Sequence, residues 1–257
     1  MKNIAFQIEY DGTNYGGWQV QPNVFTVQEC IQNTIYELSG AKCILISAGR
    51  TDSGVHSSGQ VANALFDDSF PIPTDKLAAA LNSKLPEDIR IKQAVDVNEE
   101  FHSRFNALAR EYEYNFHTVP SVFKRNFSTF FKYPLDEDIL FTTNHLFLGK
   151  HDFTSFSKNN PSTKSYICNV EVCRWIKTSS TEYKLIIKAD RFVYGMVRSI
   201  VGSMLEAAAE RIFPTDIIYG LQNPGRDKFI KLAPSTGLIL TNVFYKENIF
   251  SNLSKNR

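Results

Sequence analysis

The stretch AGRTDSGVHSSGQV, Ala48 to Val61, sets an arginine and an aspartate two residues apart, Arg50 and Asp52, among three glycines and a histidine. A carboxylate in such a loop has two uses. It can shape a turn, since Asp-Ser-Gly is ordinary turn chemistry. It can also act as a nucleophile, if a rigid scaffold presents it and a nearby cation keeps it ionised. Gly49, Gly54 and Gly59 let the backbone of another molecule come close. The apolar segments CILISA before the loop and GQVANALF within and after it supply the scaffold.

Other reactive side chains offer less. His56 has no second histidine at metal spacing, since His102, His117, His145 and His151 lie far along the chain. It reads as a residue that steadies the loop by bonding backbone. Cys30, Cys43, Cys168 and Cys173 form no C-x-x-C pair. Alternation along YICNVEVCRW turns Cys168 and Cys173 to opposite faces, so they cannot share a metal ion. All four read as small buried residues of a reducing compartment.

The elements that must position these residues show in the hydrophobic pattern. Asn3 to Tyr10 alternates as a half-buried strand. Thr26 and Glu29 have capping-box spacing before a stripe of Val27, Ile31, Ile35 and Leu38, and Gly40 is a C-terminal stop. The pattern predicts helices over Thr74 to Leu85, Ile139 to Leu148 and Phe192 to Arg211, with a short one near Ile217. It predicts strands over CILISA, GQVANALF, Ile89 to Val97, Glu111 to Phe116, Ser165 to Ile176, Glu182 to Ala189 and GLILTNVFY. Mixed elements with period-two strands point to an α+β fold, mostly antiparallel, with helices on one face. The boundary between halves falls near Ala107 to Arg110, without a low-complexity linker, so the halves are expected to share one sheet. The tail SNLSKNR is polar and reads as a frayed end.

Composition bounds the partners. Hydrophobic content of 43% and charged content of 21% suit a globular chain of 257 residues. Lys+Arg 28 against Asp+Glu 27 gives a net charge of +1, which is not the strongly basic balance of many nucleic-acid binders. An RNA-binding activity would need a local basic surface. The 20 Phe and 11 Tyr can build a core or stack on bases. No signal-peptide or membrane-spanning run is present, which points to the cytoplasm.

Several motifs in order resemble one family. GRTDSGVHSSGQV is similar to the signature loop of the tRNA pseudouridine synthase A family. EYDGTNYGGWQVQPN with TVQE, FHSRFNALAREYEY, HDFTSFS, RFVYGMVRSIVGSMLE and APSTGLIL resemble its other blocks, over essentially the whole chain. The family's loop more often reads GRTDAGVHA, where this chain has Ser53 and Ser57, and Gly195 stands where histidine is frequent. Glycine at that place would loosen the start of a helix.

The resemblance implies the pseudouridine synthase fold. That fold has two ferredoxin-like halves, residues 1–108 with the catalytic loop and 109–257 completing a cleft, around a shared, mostly antiparallel sheet. It implies isomerisation of uridine to pseudouridine at positions 38 to 40 of the tRNA anticodon stem-loop, with no cofactor, by a homodimer. Asp52 matches the family's nucleophile, attacking the sugar C1′ or the uracil C6. Arg50 matches the arginine that fills the space left by a flipped base. Arg198 matches the cation beside the aspartate, Tyr112 the tyrosine stacked on the target uracil, and Leu238 an apolar contact to it. Each has a plainer reading: a phosphate-binding arginine, a solvated helix arginine, and core residues on strands. Arg104 and Arg110 are candidates for phosphate contacts or for holding the loop, and Lys124, Lys158 and Lys164 for the local positive surface that phosphates need.

Two other classes compete. A tRNA-binding module without chemistry has no use for a carboxylate facing phosphates. A glycoside hydrolase usually needs two carboxylates, and the pairs Asp67/Asp68 and Glu99/Glu100 lie outside the glycine-marked loop.

Overall fold

The computed structural model describes residues 1–225 and 231–250. The tail that reads as frayed lies outside them. The chain forms two compact units, Met1–Leu108 together with the segment from Leu240 onward, and Ala109–Ile239. The first unit thus includes a late segment that a division into 1–108 and 109–257 gives to the second half.

The first unit opens with strand β1 (Lys2–Tyr10), followed by helix α1 (Val27–Ser39), the short strand β2 (Ile46–Ser47), β3 (His56–Phe66), helix α2 (Thr74–Asn82) and β4 (Ile89–Val97). β1 lies between β3 and β4, antiparallel to both, and β2 pairs with β3. Ile4, Phe6 and Ile8 of β1 are fully buried in one cluster with Ile31 and Ile35 of α1 and Leu77 and Leu81 of α2. Each such side chain is worth about 1.5–3 kcal/mol relative to exposure, so the two helices are held to the sheet by their apolar stripes. Thr26 accepts from the Glu29 N–H at the start of α1, and Gly40 ends it at φ 70°.

The second unit contains β5 (Ala109–His117), β6 (Thr129–Phe130), helix α3 (Glu137–Thr142), β7 (Gly149–Asp152), β8 (Ile167–Ser179), β9 (Glu182–Ala189), α4 (Met196–Ala208) and α5 (Pro214–Gln222). Its strands run in the order β5-β9-β8-β7, antiparallel, with β6 parallel to β5. Phe116 stacks on Tyr183 at 4.7 Å and meets Trp175 edge-on at 5.2 Å, so the core here is aromatic. The last strand, β10 (Leu238–Phe244), crosses the division between the units at Leu240. The expected α+β class with mostly antiparallel strands is what the chain adopts.

Several boundaries differ from the sequence reading. Helix α4 starts at Met196 rather than Phe192, because Gly195 sits at φ 73°, outside helical space. Helix α3 stops at Thr142 and the chain continues as a tighter 3-10 turn to Phe147. Of CILISA only Ile46–Ser47 pairs as strand. Strands β6 and β7 are too short to leave a period. Cys168 and Cys173 do not point to opposite faces: the register shifts between Val170 and Val172, which resets the alternation and leaves both cysteines buried.

Candidate active site

The Asp52 loop spans the gap between β2 and β3, and the chain from Asp11 to Trp18 is laid against it. The bonds between them are mostly main-chain. Trp18 N–H donates to the Thr51 carbonyl (3.1 Å) and Gly54 N–H to the Tyr15 carbonyl (3.4 Å), while within the loop Val55 N–H donates to the Asp52 carbonyl (3.1 Å). The hydroxyl of Ser53 donates to the same Tyr15 carbonyl (3.2 Å). Val27 and Gln28, at the start of α1, donate to the carbonyls of Gly17 and Trp18. The helix end therefore anchors the strip that anchors the loop.

Glycine at position 17 is required by geometry. Its φ is 97°, and a Cβ there would lie 2.5 Å from the Thr51 carbonyl oxygen and 3.0 Å from the Asp52 carbonyl carbon. Gly12 lies as close to the far end of the loop, where a Cβ would overlap the Val55 carbonyl.

Three buried side chains complete the frame. The Tyr10 and Thr51 hydroxyls share a hydrogen bond of 2.8 Å, and burial pushes the Tyr10 phenol up to about 12, so it stays protonated at neutral pH. Gln60 donates from Nε2 to the Gly49 carbonyl (2.8 Å). His56 opens β3, and its Nδ1 accepts the Gly12 N–H at 3.0 Å. Within this frame Asp52 is half-buried and Arg50 is exposed. A fixed, partly exposed carboxylate beside a free-reaching guanidinium suits a group that must meet a bound molecule.

The second unit holds the other three candidates. Tyr112 lies on β5, paired with Ile187 of β9, and is 7% exposed. Phe192 meets its ring edge-on at 5.1 Å. Arg198 is in the first turn of α4, half-buried. Its Nε donates to the Ala233 carbonyl (2.8 Å), and Ala233 N–H donates back to the Arg198 carbonyl (2.9 Å). That reciprocal pair ties the start of α4 to the segment leading into β10. One residue on, the Pro234 carbonyl accepts the Tyr114 hydroxyl (3.1 Å), which also bonds Thr129 (2.8 Å). Burial drives the Tyr114 phenol upward, with Thr129 and the Arg198 charge pulling the other way. Leu238 begins β10 and is 5% exposed. Strand β5 and helix α4 are thus both tied to the 233–238 segment, with Tyr112 on the strand, Arg198 on the helix and Leu238 at the end of the segment.

The phosphate candidates divide. Arg110 is 9% exposed and donates to the Asp190 carbonyl, a structural bond. Lys124 pairs with Glu182. Arg104 is exposed beside the Phe105 ring, Lys164 is exposed, and Lys158 lies over the Tyr194 ring at 5.0 Å. Asp67, Asp68, Glu99 and Glu100 are all exposed. No group of three or more His, Cys, Asp or Glu among the described residues could hold a metal ion.

Sequence reasoning passed over Tyr10, Gly17, Gln60 and Phe192, the residues that hold the others. Their only local signal is adjacency: Tyr10 precedes the turn-forming DGTNYGG, Gly17 ends it, Gln60 follows the signature loop's last glycine, and Phe192 precedes the helix of Arg198.

Comparison with known proteins shows the family. A family model described as tRNA pseudouridine synthase matches residues 7–106 and 145–246. The chain is 37% identical over 261 residues to the tRNA pseudouridine synthase A of Prochlorococcus marinus (strain MIT 9515), covering 100% of this chain and 96% of that protein. It is 38% identical over 247 residues to the protein of that name from Caldicellulosiruptor saccharolyticus, covering 95% and 100%. The Bacillus pumilus protein of that name is 37% identical over 246 residues, covering 94% and 98%. The matched segments take in Arg50, Asp52, Arg198 and Leu238, though not β5 with Tyr112, and the chain belongs to the tRNA pseudouridine synthase family.

Proposed function

We propose that this protein isomerises uridine to pseudouridine in tRNA, at positions 38 to 40 of the anticodon stem-loop, with Asp52 as the nucleophile. The observation that carries the reading is the splinted loop: a half-buried aspartate on a loop held by main-chain bonds, in a member of this family. The reaction breaks the bond from uracil N1 to C1′ and forms one from C5 to C1′; C5 loses a proton and N1 gains one. Nothing is released and no electrons are exchanged, so no cofactor is called for.

In this reading the base leaves its stack first, and Arg50, exposed at the edge of the loop, takes the vacated space. Tyr112 stacks on the uracil and Leu238 packs against it. Tyr112 also takes the C5 proton if its phenol is assisted. Arg198 is the cation that partners Asp52. Residues 1–108 carry the catalytic loop and 109–257 complete the site.

The reading places the protein in the cytoplasm as a homodimer. No helix of the described residues is long and apolar enough to cross a membrane. Phe123, 95% exposed, with Val119 and Val122 beside it, offers apolar surface for a second copy. Light scattering that gives a monomeric mass for the fully active protein overturns the dimer.

The test of function is carbodiimide labelling with primer extension on an unmodified tRNA transcript, wild type beside Asp52→Ala. Stops at positions 38 to 40 with wild type alone are expected. Stops elsewhere keep the chemistry and replace the target. No stops, with the transcript bound by both proteins, would leave a binding module.

A further inference from the structure

A cavity of about 560 Å³ opens in the second unit. Its walls include His117, Pro120, Arg125, Phe130, Pro234 and Thr236. Most of the lining is apolar, with a few polar groups converging, the usual make-up of a small-ligand site.

His117 sets the chemistry. It is 1% exposed, and its Nδ1 shares a 2.8 Å hydrogen bond with the Ser128 hydroxyl. Its Nε2 is buried with no hydrogen-bond partner. Burial and the charge of Lys124 hold the imidazole below its usual range, against the opposing pull of Glu182, so the ring is neutral at physiological pH. A neutral imidazole has one N–H and one lone pair, and which one Nε2 presents depends on the proton at Nδ1. Either way it calls for a partner carrying a donor or an acceptor, and the edge of a nucleobase offers both. Phe130 adds a half-exposed ring, 43% exposed, tilted 33° to His117 with centroids 5.8 Å apart. Arg125 is exposed and bonds the Val122 carbonyl through Nη1 alone, which leaves further donors for a phosphate.

The cavity is continuous with the frame of the candidate site. Pro234 and Thr129, both in its walls, are the partners of the Tyr114 hydroxyl. Ala233, next to Pro234, is the partner of Arg198. Tyr112 and His117 are five residues apart on β5, about 17 Å at strand rise. That is the length of about five stacked nucleotides, or fewer drawn out. His117 is at the end of the strand and turned to the face opposite Tyr112 and Tyr114, so an RNA that reaches both passes over the strand end.

We propose that this cavity is a second nucleotide subsite: it takes an unpaired base of the bound RNA a few nucleotides from the base handled at Tyr112. The base packs against Phe130 and the prolines, reaches His117 with its edge, and leaves its phosphate to Arg125. The inference rests on the reading of the protein as a tRNA uridine isomerase.

Two variants of the full chain test it from different walls. Phe130→Ala removes the ring. Ser121→Trp, at a lining residue whose side chain caps no helix, fills the space. Dissociation constants for a fluorescent unmodified tRNA transcript are read by anisotropy, KM and kcat by pseudouridine formation, and mass by light scattering. One base–aromatic stack is worth about 1–3 kcal/mol, so Kd and KM should rise together by about tenfold in both variants. Unchanged Kd in both, with a wild type that converts uridine, overturns the subsite alone. So does a loss of kcat at unchanged Kd. A change in oligomeric mass at unchanged Kd overturns it in favour of a protein contact. A wild type that neither binds nor converts the transcript overturns the parent reading, and the subsite falls with it.

Discussion

The Asp52 loop and the wall around Arg198 do comparable positioning by different means. Around Asp52 the work is done by backbone: carbonyls and N–H groups of Tyr15, Gly17, Trp18 and Thr51, in an approach that only glycine permits at position 17. Around Arg198 it is done by side chains: a guanidinium on the Ala233 carbonyl, a phenol on Pro234 and Thr129, and Phe192 against Tyr112. A backbone frame tolerates changes of side chain but not of main-chain conformation. A side-chain frame has the opposite weakness. The two kinds of substitution should therefore have opposite rankings in the two regions.

The largest effect belongs to the residue that the first frame exists to present. Asp52→Asn keeps size and shape while removing the nucleophile, and turnover should fall by at least about 10⁴-fold. Binding of tRNA, measured by anisotropy, should stay within a few-fold. Turnover within tenfold of wild type would mean that the frame presents something other than a nucleophile.

Gly17→Ala comes next, and it breaks the backbone frame directly. The left-handed conformation alone is unfavourable for alanine by about 1–2 kcal/mol. The 2.5 Å approach to Thr51 must also open. Destabilisation of about 2–4 kcal/mol is expected from denaturant unfolding. A shift of Asp52 by about 1 Å should lower kcat by about 100-fold. An alanine variant with wild-type kcat would show that the loop holds Asp52 without the Asp11–Trp18 strip.

In the side-chain frame the matching test is Arg198→Lys. Lysine keeps the charge but loses the Nε donor to Ala233, since it carries a single point of donation at the end of a flexible stem. Loss of that charge-assisted bond should cost about 1.5–3 kcal/mol. If the cation also serves Asp52, kcat falls while the tRNA Kd holds. An Arg198→Lys protein with wild-type stability and kcat would show that the main-chain bond from Ala233 holds this wall without the guanidinium.

The sequence made the two regions unequally legible, for the same reason. The elements of the first unit announce themselves: β1 alternates, α1 carries a stripe and both caps, and Gly40 takes the left-handed stop expected of it. The signature loop was visible because its residue types are unusual together. What held the loop was invisible, because main-chain bonds such as Trp18 to Thr51 depend on conformation and leave no residue pattern. Gly195 stands at φ 73°, outside helical space, and the helix begins only after it, a backbone state that periodicity does not report. The bulge in β8 deceived the reading of Cys168 and Cys173 in the same way, since one extra residue resets every later side chain. Tyr112 looked like a core aromatic, and by burial it is one. Only its place on β5 beside Phe192 separates it from Tyr114 and Phe116.

Tyr10→Phe gives the finest measure of the contrast, because it removes a side-chain bond from the backbone frame. The Tyr10 hydroxyl is buried, bonded to Thr51, and protonated at any pH near neutrality. Phenylalanine keeps the ring's packing and leaves the Thr51 hydroxyl to find another partner. An unpaired buried hydroxyl costs about 1–3 kcal/mol, a drop in Tm of roughly 2–8 °C for a chain of this size. If the loop is held chiefly by its main chain, Asp52 stays in place, and kcat changes by less than about threefold although the protein melts earlier. A fall in kcat as large as that of Gly17→Ala would mean that the hydroxyl pair, rather than the carbonyls and N–H groups around it, fixes the carboxylate.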